Sequence, residues 1–432
     1  MATAAVQVSA PGPVGQPDIG YTPDHDKYLE RVKRRRETEK LEQSLPPGFP
    51  QRLDSDLVWD GNNLAETYDW NYRLTEEDIN EIESALRHFK SLNKPLGYIT
   101  QETFPLPHLH HTLRSLSHEL HHGHGFKVLR GLPVTAHTRE ENIIIYAGLS
   151  SHVAPLRGRQ DNTHLGQPAD VVLAHIKDLT PTVSDINKIG APAYTTEKQV
   201  FHTDAGDIVA LFCLGEAAEG GQSYLSSSWQ VYNELAATRP DLIRTLAEDK
   251  WVADEFGKEG RKFSVRPLLH YQPAASGSSS TEGKAEKPER LIIQYARRTF
   301  TGYWGLPRSA DIPPITEAQA EALDALHFTA EKYAVALDFR KGDVQFVNNL
   351  SVFHARAGFR DDPEEDGEKQ RHLVRLWLRD PEHAWETPEV LRERWERVYG
   401  GVSPEKEVFP LEPRIRSASR GESVGTQGGG GY

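Results

Sequence analysis

Two residues near the middle of the chain, His202 and Asp204, could bind one metal ion together. They lie two positions apart in a run that reads as a strand, which places both side chains on one face. A third ligand must come from elsewhere, and the best candidate is His354 in the run 347–354, which reads as one buried strand. Two histidines and one carboxylate leave the opposite side of a metal open. This ligand set suits non-haem Fe(II) and its oxygen chemistry.

A second histidine motif offers a rival metal site. The run His118-Glu119-Leu120-His121-His122 satisfies the HExxH pattern of zinc proteases and lies on a predicted helix. Gly123 ends that helix directly after the second ligand, and the third histidine of the longer protease motif would fall at Val128. We expect an amphipathic helix with partly exposed histidines here. A zinc hydrolase that uses His118 and His122 remains the alternative hypothesis.

The composition limits the partners and the compartment. The 432 residues carry 63 Asp and Glu against 50 Lys and Arg, a net charge of −13, and no strongly basic domain, so nucleic acid is not an expected partner. The single cysteine, Cys213, fits a reducing compartment. No apolar run approaches the roughly 18 residues that span a bilayer, and residues 1–21 lack the pattern of a secretory signal. We expect a cytoplasmic protein that binds a small molecule and no membrane, with homo-oligomer formation left open.

The periodicity of the chain places these motifs on strands and helices. Helices are expected near 24–43, from Thr75 onward, and near 109–120, 229–247, 316–336 and 388–399. After residue 126 strands dominate, with expected segments at 171–176, 200–204, 207–214, 223–227, 291–295, 343–347 and 372–378. The pattern predicts a mainly β fold with helical additions (α+β), built as a double-sheet jelly roll.

Several blocks, in a fixed order, carry a resemblance to a known family. They are GFKVLRGL at 125–132, FHTD at 201–204, GGQS at 220–223, HAR at 354–356 and RHLVRLWL at 371–378. Together they resemble the TauD/TfdA (taurine dioxygenase-like) family of Fe(II)/2-oxoglutarate-dependent dioxygenases over about residues 95–380. The fold that this resemblance implies is a double-stranded β-helix, and the implied cofactor and cosubstrates are Fe(II), 2-oxoglutarate and O2.

The resemblance also assigns roles to single residues. It implies that His202, Asp204 and His354 are the iron ligands and the catalytic centre. Arg371 matches the position that grips the far carboxylate of 2-oxoglutarate, a task for which a guanidinium is suited because it forms two parallel hydrogen bonds. Ser223 matches the hydroxyl that donates to the same carboxylate. Arg375 matches a position that meets an anionic group of the substrate in several relatives.

These expectations define five segments and one reaction class. The segments are a disordered tail at 1–22, a helical arm at 23–95, a TauD-like domain at 96–384 with a flexible insertion at 273–287, a helical extension at 385–415, and a disordered tail at 416–432. The stretch 157–194 is the expected lid. The expected reaction oxidises an unactivated C–H bond of a small anionic molecule (an amino acid, another carboxylate or a sulfonate) by hydroxylation, desaturation or cyclisation, releasing succinate and CO2. A non-catalytic jelly-roll binding protein is a further alternative.

Overall fold

The structure is a computed structural model that describes residues 12–274, 288–362 and 369–417. The outer parts of both predicted tails (1–11 and 418–432), most of the predicted insertion (275–287) and an acidic segment (363–368) lie outside these ranges. Within them, no helix combines the length and the apolar character needed to cross a membrane.

Helices and strands alternate along the described chain. The helices are α1 (His25–Thr38), α2 (Glu76–Ser91), α3 (Leu109–His122), α4 (Arg139–Val153), α5 (Ser228–Thr238), α6 (Pro240–Ala247), α7 (Arg298–Thr301), α8 (Glu317–Lys332) and α9 (Glu389–Tyr399). The strands are β1 (Asn71–Arg73), β2 (Phe126–Arg130), β3 (Leu156–Arg157), β4 (Asp161–His164), β5 (Gln167–Val171), β6 (Leu173–Lys177), β7 (Gln199–His202), β8 (Ile208–Gly215), β9 (Glu219–Gly220), β10 (Ser223–Ser227), β11 (Trp251–Asp254), β12 (Phe263–Arg266), β13 (Leu269–Gln272), β14 (Arg290–Ile293), β15 (Gly302–Tyr303), β16 (Leu306–Pro307), β17 (Val335–Leu337), β18 (Val344–Asn348), β19 (Val352–Arg356), β20 (Phe359–Arg360), β21 (His372–Arg379) and β22 (Glu407–Val408).

Two sheets form the centre of the molecule. The larger has seven strands in the order β1-β2-β18-β8-β21-β3, with β6 also paired to β21, and the smaller has four in the order β17-β10-β19-β7. From β6 to β21 the chain passes repeatedly between the two sheets. Val128 and Val347 of the larger sheet share one apolar cluster with Leu225 and Val352 of the smaller sheet. The two sheets therefore face each other.

Helices cover the outer faces of both sheets. On the larger sheet, apolar side chains of α2, α3 and α4 join one buried cluster with β8, β18 and β21, and Ile82, Leu113 and Ile144 are examples. On the smaller sheet, α8 contacts β7 and β10 and also α1, α5 and α6. The described chain is thus a mixed structure of strands and helices whose two central sheets are enclosed by helices.

Three details of the predicted elements are wrong. The run 347–354 is not one strand, because Asn348 ends β18 and its carbonyl and side chain accept from Ser351 N and Leu350 N in a tight turn before β19. The helix expected at 229–247 divides at Arg239, because Pro240 disfavours the helical conformation of the residue before it. Helix α4 was not expected at all.

Candidate active site

The three expected metal ligands converge between the two sheets. His202, at the end of β7, lies opposite His354 of β19 in antiparallel register, and their ring centroids are 4.2 Å apart. Asp204 follows β7. Its Oδ1 lies 3.8 Å from His202 Nε2 and its Oδ2 lies 3.9 Å from His354 Nε2. Because a metal–ligand distance is about 2.1 Å, donor atoms up to about 4.2 Å apart can share one ion. Over the described ranges this is the one such group of His, Cys, Asp or Glu side chains.

The protonation of both histidines fits metal binding. His202 Nδ1 donates to the Val200 carbonyl at 2.8 Å, which leaves Nε2 unprotonated, and the Gln199 amide donates to that Nε2 at 3.0 Å. Burial lowers the pKa of His202, and burial together with the charge of His202 lowers the pKa of His354 to about 3. His354 Nδ1 is buried without a partner. Both rings are therefore neutral at physiological pH, the form in which imidazole binds a metal.

Asp204 is held as a carboxylate by its neighbours. Its Oδ2 accepts from Arg375 Nη1 at 2.6 Å and from Trp377 Nε1 at 3.1 Å. Burial opposes ionisation of Asp204, but the charge of the adjacent Arg375 keeps its pKa well below the ordinary value. The carboxylate is consequently ionised over the whole physiological range.

One asparagine fixes the backbone of this ligand. Asn349 Oδ1 accepts from Asp204 N at 2.8 Å, and Asn349 Nδ2 donates to the carbonyls of Asp204 at 2.9 Å and Gly206 at 2.8 Å. The neighbouring Asn348 donates instead to the carbonyl of Leu120. Asn349, which the sequence could not distinguish from Asn348, is therefore the positioning residue.

Arg371 is a buried cation that forms no ion pair within the described part of the chain. It directly precedes β21, and its guanidinium stacks on the Phe359 ring at 5.5 Å and pairs with no carboxylate of the described residues. Burial lowers its pKa to about 10, so it stays charged at neutral pH. A side chain at Gly221 would come within 3.0 Å of Arg371 Cδ, and the φ of +75° there favours glycine. An anionic ligand would relieve the cost of this unpaired buried charge.

Ser223 and its surroundings add further polar groups to this region. Ser223 Oγ donates to Gln345 Oε1 at 2.9 Å, a bond that joins the two sheets. Gln345 Nε2 is buried without a partner, as are Nε and Nη1 of Arg356, which lies opposite Ser223 in the smaller sheet. Sequence reasoning did not single out Gln345, and it assigned no binding role to Arg356.

Arg375 lies beside the three expected metal ligands, and two of its three guanidinium nitrogens have hydrogen-bond partners there. Its Nε donates to Gln160 Oε1 at 2.8 Å, its Nη1 donates to Asp204, and its Nη2 is buried without a partner. Sequence reasoning missed Gln160 and Trp377. For Trp377 a signal existed, because it lies two positions after Arg375 on the same strand and so shares its face.

The HExxH residues make a different environment. The rings of His118 and His122 are 4.7 Å apart at the end of α3, and His383 lies 5.6 and 5.5 Å from them. The motif glutamate, Glu119, accepts from His124 Nδ1 at 2.8 Å, and Arg290 Nη2 lies 3.4 Å from His122 Nδ1. In the described residues these side chains form no three-ligand group. The structure therefore gives no support to the zinc site.

Residues 92–377 match the sequence profile of the taurine catabolism dioxygenase TauD, TfdA family. The chain belongs to this family. It is a dioxygenase that uses Fe(II), 2-oxoglutarate and O2, which confirms the resemblance seen in the sequence.

Two curated relatives and one solved structure illustrate the similarity. The chain is 36% identical over 368 residues to the taurine hydroxylase-like protein SAT17 of Stachybotrys chartarum, covering 84% of this chain and 89% of the relative. It is 24% identical over 322 residues to FR-33289 synthase of Streptomyces rubellomurinus, covering 74% and 88%. The non-heme iron oxygenase OrfP, in complex with Fe, succinate and (3S)-hydroxy-L-Arg, shares the fold with a TM-score of 0.50 and 13% identity, covering 79% of this chain and 99% of OrfP.

Proposed function

We propose that this dioxygenase binds Fe(II) through His202, Asp204 and His354 and oxidises an unactivated C–H bond of a small anionic molecule. The observation that carries the proposal is the convergence of two neutral imidazoles and one ionised carboxylate between facing sheets. Bound there, Fe(II), 2-oxoglutarate and O2 supply the oxidising chemistry, with release of succinate and CO2. The protein positions these groups and its substrate.

The chain's own residues set the geometry of the ligands. The Val200 carbonyl orients the His202 ring through Nδ1, and Asn349 fixes the backbone that presents Asp204. Arg375 and Trp377 hold Asp204 Oδ2. Because these bonds engage Oδ2, the other carboxylate oxygen is left to bind the metal. Partners of this kind raise the affinity of a site by restricting its ligands.

We propose that the cosubstrate lies between Arg371 and Ser223. The unpaired guanidinium of Arg371 supplies the charge for the far carboxylate of 2-oxoglutarate, and two parallel N–H donors suit a carboxylate. Ser223 Oγ would exchange its bond to Gln345 for one to this carboxylate. Gln345 Nε2, buried without a partner, is a further donor in the same region.

The substrate enters a cavity of about 90 Å³ beside His202 and Asp204. Arg375 lines this cavity and keeps one buried donor, Nη2, without a partner, which supports its role in binding an anionic group of the substrate. The 36% identical relative is named as a taurine hydroxylase-like protein. This name favours hydroxylation as the reaction and a sulfonate or an amino acid as the substrate. Desaturation and cyclisation are the other outcomes within the proposal.

The strand order supports a finer description of the fold. All pairs in the order β17-β10-β19-β7 and in the order β2-β18-β8-β21-β6 are antiparallel, and between β6 and β21 the chain crosses repeatedly from one set to the other. We infer that they form a double-stranded β-helix. We also infer a cytoplasmic location, which the single cysteine of the sequence supports.

O2 consumption by the Fe(II)-loaded protein tests the function. With a library of amino acids, other carboxylates and sulfonates, we expect consumption that requires both Fe(II) and 2-oxoglutarate and a product that mass spectrometry finds heavier by one oxygen or lighter by two hydrogens. If O2 consumption is unchanged when 2-oxoglutarate is omitted, the proposal fails.

A further inference from the structure

The cavity beside the metal ligands carries more positive charge than its neighbours balance. Four arginines line it: Arg297, Arg298, Arg375 and Arg416. Two are balanced, since Arg297 Nη2 donates to Asp324 Oδ1 at 2.6 Å and Arg375 bonds to Asp204. Arg298 and Arg416 form no ion pair with any carboxylate of the described residues. Their charges are therefore the ones that an incoming anion would meet.

The bonds that do hold Arg298 and Arg416 come from neutral groups. Arg298 Nη1 donates to the carbonyl of Gly190 at 2.8 Å, and its guanidinium stacks on Phe256 at 5.3 Å. Arg416 Nε donates to Tyr194 Oη at 3.2 Å and Nη1 to the carbonyl of Gln160 at 3.4 Å. These contacts fix both side chains in place without an ion pair, although the charges of Asp204 and Asp161 act on Arg416 from beyond ion-pair distance. Both guanidiniums are therefore oriented before a ligand binds.

The charges of Arg298 and Arg416 influence each other. Burial lowers the pKa of Arg298 to about 10, and the charge of Arg416 lowers it further. Burial also disfavours the charged form of Arg416, but Tyr194, Asp204 and Asp161 together raise its pKa, so this guanidinium stays charged. A multiply charged anion bound by both arginines would relieve the repulsion that acts on Arg298.

We propose that Arg298 and Arg416 form a second anion subsite, distinct from Arg371, that binds a doubly negative group of the substrate such as a phosphoryl oxyanion. The inference rests on the proposed function and, within its class of small anionic molecules, favours those that carry a dianionic group. Two unbalanced charges match a dianion better than a single carboxylate or sulfonate. Guanidinium forks present several donors to such oxygens and can bind them bidentately.

The position of Arg416 explains why this subsite is not a property of the family core. Arg416 lies beyond residues 92–377, which match the family profile, and Tyr21, which also lines the cavity, lies before them. The domain prediction had placed both residues in disordered tails. In the structure, Arg416 contacts Tyr194 and Gln160, and Tyr21 Oη accepts from Val200 N at 3.4 Å. The two ends of the described chain thus shape the substrate cavity.

Calorimetric titration of inorganic phosphate into the full-length anaerobic Fe(II)·2-oxoglutarate protein tests the subsite. We expect saturable binding that leaves the metal-to-ligand absorption band of the 2-oxoglutarate complex intact. Arg416→Gln should weaken phosphate binding roughly 10- to 100-fold, because one or more hydrogen bonds to a charged group are lost. Arg416→Lys, which keeps the charge, should retain an intermediate affinity. Arg414→Gln, an exposed arginine two positions away that does not line the cavity, is the matched control and should bind as the wild type does.

Four results would overturn the subsite. They are no phosphate binding to the wild type, loss of the absorption band as phosphate binds, equal weakening in Arg416→Lys and Arg416→Gln, and equal binding of phosphate and of the singly charged methanesulfonate. The second would place the anion at the iron or at Arg371, and the third would make Arg416 a structural residue. A failure of the proposed function looks different, because the absorption band would not form even before phosphate is added, while calorimetry would still report on Arg298 and Arg416.

Discussion

Two groups of histidines match metal-binding patterns in the sequence, and within the described residues one of them is arranged as a three-ligand group. His202 and His354 lie opposite each other on paired strands, each with 8% of its surface exposed, and share Asp204 as a third ligand. His118 and His122 lie one turn apart at the exposed end of a helix. Their motif glutamate is engaged by His124, and an arginine stands beside them.

The difference lies in what surrounds the ligands. At the first site His202 and Asp204 are each oriented by a hydrogen bond, and the adjacent guanidinium of Arg375 keeps the carboxylate ionised. At the second, the motif glutamate already accepts from His124, and the described residues form no three-ligand group around His118 and His122. A spacing motif therefore indicates that the ligands can reach one ion. The hydrogen bonds that the ligands make to neighbouring groups decide whether they are oriented toward that ion.

The largest expected effect comes from removing one ligand at the first site. His202→Ala, Asp204→Ala or His354→Ala should abolish stoichiometric Fe(II) binding and reduce turnover by at least about a thousandfold, because two ligands hold the ion poorly. The His118→Ala/His122→Ala double variant is the matched control and should keep both. Metal analysis and O2 uptake measure the outcome. The comparison is reversed if the double variant loses iron and His354→Ala keeps it.

Removing the charge of Arg371 should weaken binding of the cosubstrate but not binding of the metal. Arg371→Gln deletes a charge-assisted contact worth about 2–4 kcal/mol, which lowers the affinity for 2-oxoglutarate roughly 30- to 1000-fold. Fe(II) binding should be unchanged. Titration of 2-oxoglutarate into the anaerobic Fe(II) protein, followed by the absorption band, gives the affinity.

Arg375 provides the contrast to Arg371. Arg375→Gln should weaken binding of the primary substrate. Because Arg375 bonds to Asp204, it should also lower Fe(II) affinity. Decarboxylation of 2-oxoglutarate at saturating iron should stay mostly unchanged. If Arg375→Gln loses 2-oxoglutarate and Arg371→Gln retains it, the two assignments are exchanged.

The next effect concerns orientation of a ligand without contact to the metal. Asn349→Ala removes three hydrogen bonds around the Asp204 backbone and should lower Fe(II) affinity roughly 10- to 100-fold. Asn348→Ala serves as the neighbouring control, since its amide bonds to Leu120. Fe(II) titration at equal protein stability separates the two. Equal iron affinity in Asn349→Ala and wild type would show that Asp204 is positioned by other groups.

The smallest effect is a difference in acid sensitivity of the iron-free protein. The folded-state pKa of His354, about 3, lies below the ordinary value of about 6.5, so the unfolded chain binds a proton between these values that the folded chain does not. Stability must therefore fall as pH decreases below about 6.5, by up to about 1.4 kcal/mol per pH unit for this residue.

Urea unfolding at pH 7.5 and 5.5 measures the contribution of His354 to the pH dependence of stability. The loss of stability on acidification should be about 1.4 kcal/mol smaller in His354→Asn than in the wild type. His118→Asn, at an exposed position, is the control and should lose as much stability on acidification as the wild type does. An unchanged loss in His354→Asn would mean that protonation of this ring does not oppose folding.

The pairing of His202 with Asp204 and most strands could be predicted because a two-residue repeat and an HxD spacing act locally. Helix α4 could not, because Ile143, Ile144 and Ile145 are buried all around, so the helix shows no polar face and its β-branched run resembles a strand. The capping box of Thr138 with Glu141 was the signal available.

Other features depend on contacts between distant parts of the chain. That Arg416 and Tyr21 reach one cavity follows from packing on β7 and on the loop around Tyr194, not from their own composition. The turn at 349–351 breaks a run that reads as a continuous strand, because the side chain of Asn348 stabilises it. Pairing of Asp204 with Arg375 likewise joins two sheets and leaves no trace in either local sequence.

The most direct test of the central claim is anaerobic titration of Fe(II) and then 2-oxoglutarate into wild type, His354→Ala and the His118→Ala/His122→Ala variant. The account predicts one Fe(II) per chain and a metal-to-ligand absorption band in the wild type and the double variant, and neither in His354→Ala. A band that survives His354→Ala, or one lost with His118 and His122, would contradict it.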